Sequence, residues 1–205
     1  VWYVSYGSNL DPDRLDTYLN GGTPTGGHFT YEGARDPAPP RARRPVRIPH
    51  RLYFAGESRT WGGGIAFLDH DHVAPAPTFG HAYLVTVGQF EDVAAQETGR
   101  SHAAVDIDEL RAEGSVTLGS GRYDRVVWLG DSDGVPQLTF TAPEPSSAIA
   151  PAAPKPRYLH RIMVGLENSH GLTATAAAGY LRTAPGVADH WSFETLVALA
   201  SSGPE

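Results

Sequence analysis

Two places in the sequence carry residue types that could do chemistry. The first is Tyr6-Gly7-Ser8-Asn9-Leu10. Gly7 permits a sharp turn and the close approach of another group. Ser8 and Asn9 supply side-chain donors. Asp11 and Pro12 then suit an N-cap and a first helical position, so the loop is expected to lead straight into a helix whose free N–H groups attract a carboxylate or phosphate. A plain strand-to-helix turn is the alternative reading of the same residues. The second place is Glu97. Phe90, Val93 and Ala94 mark the apolar face of a helix over Gln89–Gln96, and the next position at that spacing is Glu97. A carboxylate at the rim of a core loses solvation and its pKa rises. Such groups suit general acid/base work near neutrality. The alternative is that the helix frays first and leaves Glu97 in solvent.

A third group, Asp69-His70-Asp71-His72, has metal-ligand residue types, with His50 and His81 elsewhere in the chain. It falls in a proline-containing stretch and lacks a separated partner at recognisable spacing, so a solvated loop is the better reading. Trp61-Gly62-Gly63-Gly64 lacks the Gly-Lys-Ser/Thr of a P-loop. Ser8 lacks a Gly-x-Ser-x-Gly elbow.

The elements that must position these residues follow from pattern. Val1–Ser5 reads as a strand and Leu15, Tyr18 and Leu19 as the apolar stripe of a first helix. Thr23–Pro45, rich in Gly, Pro and Arg, reads as an irregular surface excursion. Val46–Phe54 has strand character, with Pro49 marking an edge or bulge. Ile65–Leu68 is a short strand, Asp69–Thr78 a polar loop and Gly80–Val87 another strand. Asp106–Ala112 is a short helix capped by Asp106 and ended by Gly114. Val116–Leu118, Arg125–Leu129 and Gln137–Thr141 form a meander, and Pro143–Pro156 a surface linker. Leu159, Ile162, Met163 and Leu166 share one helical face. Thr173 and Ser192 cap two more helices. Strands first and helices last argue for an α+β domain with a mixed or antiparallel sheet.

The bulk properties narrow the function classes. At 205 residues and 40% hydrophobic, one domain over residues 1–205 can bury its own core. A formal net charge of −7 disfavours nucleic acid as a partner. The local basic group Arg41, Arg43, Arg44, Arg47 and Arg51 reads as a solvated strand edge. The chain has no cysteine, so disulfide and thiolate chemistry are out and a reducing cytoplasm fits. Val1–Tyr6 lacks the basic region of a signal peptide, and no apolar run nears the ~20 residues needed to span a bilayer. No membrane partner is expected.

Four segments resemble the γ-glutamylcyclotransferase-like family, which includes the butirosin-pathway cyclotransferase and the γ-glutamylamine cyclotransferases. They are Trp2–Leu10 (WYVSYGSNL), Leu52–Phe67 (LYFAGESRTWGGGIAF), Gly80–Gly99, and Pro154–Leu181 with its Pro-x-x-x-Tyr. The resemblance implies a mixed, barrel-like sheet with flanking helices and a helical C-terminal third. It implies a small-molecule γ-glutamyl substrate cyclised to 5-oxoproline, an intramolecular acyl transfer of lyase type. In that scheme Glu97 is the acid/base, Tyr6, Gly7, Ser8, Asn9 and Leu10 hold the substrate, and Tyr158 contacts it through its hydroxyl. No metal and no cofactor are required, and a homodimer is compatible. The sequence departs from the family where Thr98 separates Glu97 from Gly99, and Arg100–Pro145 matches weakly. The rival from another class is a non-catalytic module that holds an acidic metabolite with the same loop. A second rival is a metal-dependent hydrolase built on His70 and His72.

Overall fold

The central strand is β1 (Trp2–Ser5), and it is short because Tyr6-Gly7 turns the chain away. All four of its residues are buried, since both faces are covered. Side chains alternate along a strand, and here Trp2 and Val4 enter one core while Tyr3 enters the other. In the computed structural model the described residues are 1–24, 29–58 and 60–202, with side chains omitted at 71–76.

A short 3-10 turn (Ser8–Leu10) links β1 to α1 (Pro12–Asn20). Two long strands follow, β2 (Ala42–Ala55) and β3 (Ile65–Leu84). Then come α2 (Val87–Thr98), α3 (Ile107–Glu113), and the meander β4 (Ser115–Thr117), β5 (Arg125–Ser132) and β6 (Val135–Thr141). The chain ends in α4 (Pro156–His170), α5 (Ala174–Leu181) and α6 (Phe193–Ser202). The six strands form one sheet in the order β2-β3-β1-β6-β5-β4. It is mixed: β1 runs parallel to β6, and the other paired strands are antiparallel. The α+β class with a curled, mixed sheet and a helical last third therefore holds.

Helices α1 and α2 pack their apolar stripes on one face of the sheet, through Leu15, Tyr18, Leu19, Phe90 and Val93. On the other face α4 presents Leu159, Ile162, Met163 and Leu166, joined by α5 and α6. Predicted caps hold at Asp106 for α3, Thr173 for α5 and Ser192, whose Oγ accepts from Thr195 N at 3.1 Å, for α6.

The expected loop at Asp69–Thr78 and separate strand at Gly80–Val87 are corrected. Residues 69–84 belong to one continuous 20-residue strand, β3, because β2 offers a long antiparallel partner with register running from Ala55↔Ile65 to Ala42↔Leu84, and Val87 already opens α2. A ladder of that length overrides the local proline signals. The register slips around His50, beside Pro49, and β2 is the sheet edge, as proline in a strand requires. The side chains of Asp71 and His72 lie outside the described residues.

Candidate functional site

Helix α2 is built to end at a fixed place. Thr86 and Gln89 form a capping box at its start, with bonds of 3.1 and 3.0 Å. Gly99 stops it in the left-handed conformation at φ 69°. Between these ends Phe90, Val93 and Ala94 are buried, so the helix is pinned along the face that leads to Glu97. Thr98, after Glu97, is the last residue of the helix, its Oγ1 donating to Ala94 O at 2.8 Å.

Glu97 is half-buried in the last turn of α2. The Tyr18 hydroxyl donates to its Oε1. That same hydroxyl accepts from Arg14 Nη2 at 2.9 Å, and Arg14 Nη2 also donates to Tyr31 OH at 2.7 Å. The Arg14 guanidinium lies over the rings of Tyr18 and Tyr31, 4.4 and 4.5 Å from their centroids, a contact that favours a desolvated cation. Burial raises the pKa of Glu97 above the ordinary carboxylate value. Arg14, the Tyr18 hydroxyl, the Asn9 amide and Arg122 oppose that rise, in descending order, without cancelling it. Burial, reinforced by Glu97, holds the Tyr18 phenol well above its usual range. Tyr18 is therefore a neutral donor.

The turn after β1 stands beside this group. Gly7 adopts φ −105° and ψ −139°, so its value is close approach rather than left-handed backbone: a Cβ there would sit 3.1 Å from the Tyr158 hydroxyl. Asn9 is buried, donates from Nδ2 to Tyr3 OH at 3.0 Å, and leaves Oδ1 without a partner among the described residues. Tyr6 donates its hydroxyl to Phe140 O at 2.8 Å, which fastens the turn to β6. Tyr158 accepts from Ala66 N at 3.2 Å and keeps its own proton to donate. Burial pushes its pKa up to about 12.

A cleft of about 1250 Å³ joins these parts, lined by Tyr6, Gly7, Ser8, Asn9, Glu97 and Tyr158. Leu10 does not reach it. Its side chain is in the core, and a Cβ at Gly165 of α4 would meet Leu10 Cβ at 2.5 Å. Leu10 thus seats the turn against α4, which corrects its expected place among substrate contacts. The expected ligand-binding start of α1 is corrected as well. Asp11 fills that end itself, accepting from Asp13 N at 3.3 Å and pairing with Arg161 at 2.6 Å.

Sequence reasoning passed over Arg14, Tyr18 and Tyr31 as a chemical group. Arg14 and Tyr18 stand four apart on α1, the spacing of neighbours on one helical face, and that was the available signal. Tyr31 comes from the irregular excursion, which is tied to α2 by Arg35 to Asp92 bonds of 2.9 and 2.8 Å. The three-residue clustering that a metal ion needs is absent among the described residues. No helix among them is long and apolar enough to cross a membrane.

No family model matches the chain. A curated relative, "Histone deacetylase 5" of Arabidopsis thaliana, is 31% identical over 205 residues, an alignment that takes in 88% of this chain and 30% of the relative. The chain thus spans under a third of that relative's length. Among solved structures, the crystal structure of an uncharacterized protein from Homo sapiens has a TM-score of 0.52 at 16% identity, covering 96% of this chain and 97% of that one. The two share a fold. A structure described as a gamma-glutamyl cyclotransferase has a TM-score of 0.48 at 16% identity, covering 82% of this chain and 79% of that one.

Proposed function

We propose that the chain cyclises a γ-glutamyl group to 5-oxoproline and releases the attached amine, with Glu97 as general acid and base. The observation that carries this reading is a half-buried carboxylate of raised pKa, held by a phenol rather than by a direct guanidinium, in one cleft with the Tyr6–Asn9 turn.

The Glu97 carboxylate takes a proton from the α-ammonium. The freed nitrogen attacks the γ-carbonyl carbon of its own glutamyl group and closes a five-membered ring. Backbone N–H groups of the Gly7–Asn9 turn and the Tyr158 hydroxyl stabilise the oxyanion. The bond to the leaving amine then breaks as Glu97 returns its proton to that nitrogen, and the ring nitrogen gives up its second proton through the freed Glu97 carboxylate to the departing amine, which leaves as an ammonium. Because the nucleophile and carbonyl share one molecule, holding the substrate folded supplies much of the rate. Tyr18 keeps Glu97 in one orientation, and Arg14 keeps Tyr18 as the donor. A small-molecule substrate and a chain without cysteine fit a reducing, cytoplasmic setting.

The direct test is release of 5-oxoproline from a panel of γ-glutamyl amino acids. The wild-type chain should form it. Glu97→Gln should bind the same compounds without turnover. A Glu97→Gln rate close to wild type on any processed compound removes the mechanism.

A further inference from the structure

The cleft is larger than a γ-glutamyl group requires. Small-molecule sites commonly enclose roughly 300–1,000 Å³, and this one measures about 1250 Å³. If the reacting glutamyl part sits beside Glu97 and the Tyr6–Asn9 turn, the released amine must occupy the rest of the cleft. Two of the chain segments that line it meet. The Tyr31 hydroxyl and Thr60 Oγ1 are 3.5 Å apart, which brings the segment containing Phe29 to face the one containing Trp61. Both rings line the cleft. Trp61 stacks on Tyr158, with centroids 6.0 Å apart and planes at 19°. Phe29 is 46% exposed and is the one exposed large hydrophobic side chain among the described residues.

Leaving a phenylalanine ring half in water forfeits apolar burial, and aromatic pairs gain more than burial alone supplies. A ring on the bound molecule would recover both terms. We infer that the substrate class is γ-glutamyl conjugates of aromatic amino acids or aromatic amines, with the aromatic group held between Phe29 and Trp61. This rests on the cyclisation reading above and specifies its leaving group.

The test compares kcat/KM for γ-glutamyl-phenylalanine and γ-glutamyl-alanine by release of 5-oxoproline, in the wild-type chain and in Phe29→Ser. The phenylalanine conjugate should be preferred by about tenfold or more, the scale on which apolar pockets discriminate. Phe29→Ser should narrow that ratio several-fold, chiefly through KM. Phe29 is exposed, so the variant should melt with the wild type, and Phe29→Leu should restore part of the ratio. Equal use of the two conjugates, or a ratio unmoved by Phe29→Ser, overturns the aromatic assignment while leaving cyclisation standing. Release of 5-oxoproline from neither conjugate overturns the cyclisation reading and this one with it.

Discussion

Two carboxylates, a short distance apart in the chain, are held in opposite ways. Asp124, in the turn before β5, is fully buried and accepts from Arg100 Nη2 at 2.6 Å, from Arg100 Nε at 3.2 Å and from Gly121 N at 2.5 Å. A two-pronged guanidinium contact of this kind fixes an anion in place. Glu97 has a phenol as its hydrogen-bond donor, and the nearby Arg14 guanidinium gives its hydrogen bond to Tyr18, acting on the carboxylate through its charge. A carboxylate gripped by both prongs of a guanidinium is fixed in position by that contact. One whose hydrogen-bond donor is a neutral phenol has no such ion pair. On the proposed function the contrast separates a staple from a reactive group, and each side of it can be broken on its own.

The largest effect should come from Glu97→Gln. General acid/base groups contribute about 10²–10⁴-fold to rate, and the loss should fall in that range with melting unchanged or improved. Asp124→Asn should do the reverse. It weakens a charge-assisted pair and leaves Arg100 without its anion, at a cost of about 2–3 kcal/mol, below the ~3–5 kcal/mol of fully buried pairs because Arg100 is 37% exposed. Urea unfolding would register that loss, and turnover by the surviving folded fraction should stay near wild type. If Asp124→Asn abolishes turnover in folded protein, the division between staple and reactive group fails.

A smaller, sharper effect should come from Arg14→Met. The Arg14 charge is the leading influence that lowers the Glu97 pKa against burial. Removing it should move the limb of the pH–rate profile governed by Glu97 to higher pH, while methionine fills much of the vacated volume. An unmoved limb would mean that Arg14 acts on the fold alone.

How far the sequence disclosed this arrangement depends on distance along the chain. The helix ends were legible because caps are local: Asp11, Asp106, Thr173 and Ser192 each accept from a backbone N–H within three residues. Glu97 was legible because a helix repeats, and three residues beyond Ala94 the buried face leads to the cleft. The Arg14–Tyr18–Tyr31 group was not. Its members come from α1 and the excursion, and nothing local marks Tyr31 as their partner. The continuous β3 was hidden for the same reason, since proline and charge argue for a loop until a 14-residue partner strand lies alongside. Roles assigned by chain position alone were also blurred, as Leu10 shows by turning into the core one residue after Asn9 faces the cleft.

The least of these effects concerns stability and tests the raised Glu97 pKa directly. With a folded pKa above the unfolded value, the folded chain holds the Glu97 proton more tightly. Between the two values the folded state binds more protons, so stability falls as pH rises through that window. Below the window the carboxyl is protonated in both states and imposes no charge penalty. Above it the penalty is complete and constant, at about 1.4 kcal/mol for each unit of difference. Glu97→Gln cannot titrate and should escape this decline. Urea unfolding of both proteins from about pH 4 to about pH 8 should therefore show the variant gaining on the wild type as pH rises, then running parallel to it. Curves that stay parallel throughout would mean that Glu97 titrates as a solvated carboxylate. Its contrast with Asp124 would then be one of partners without being one of reactivity.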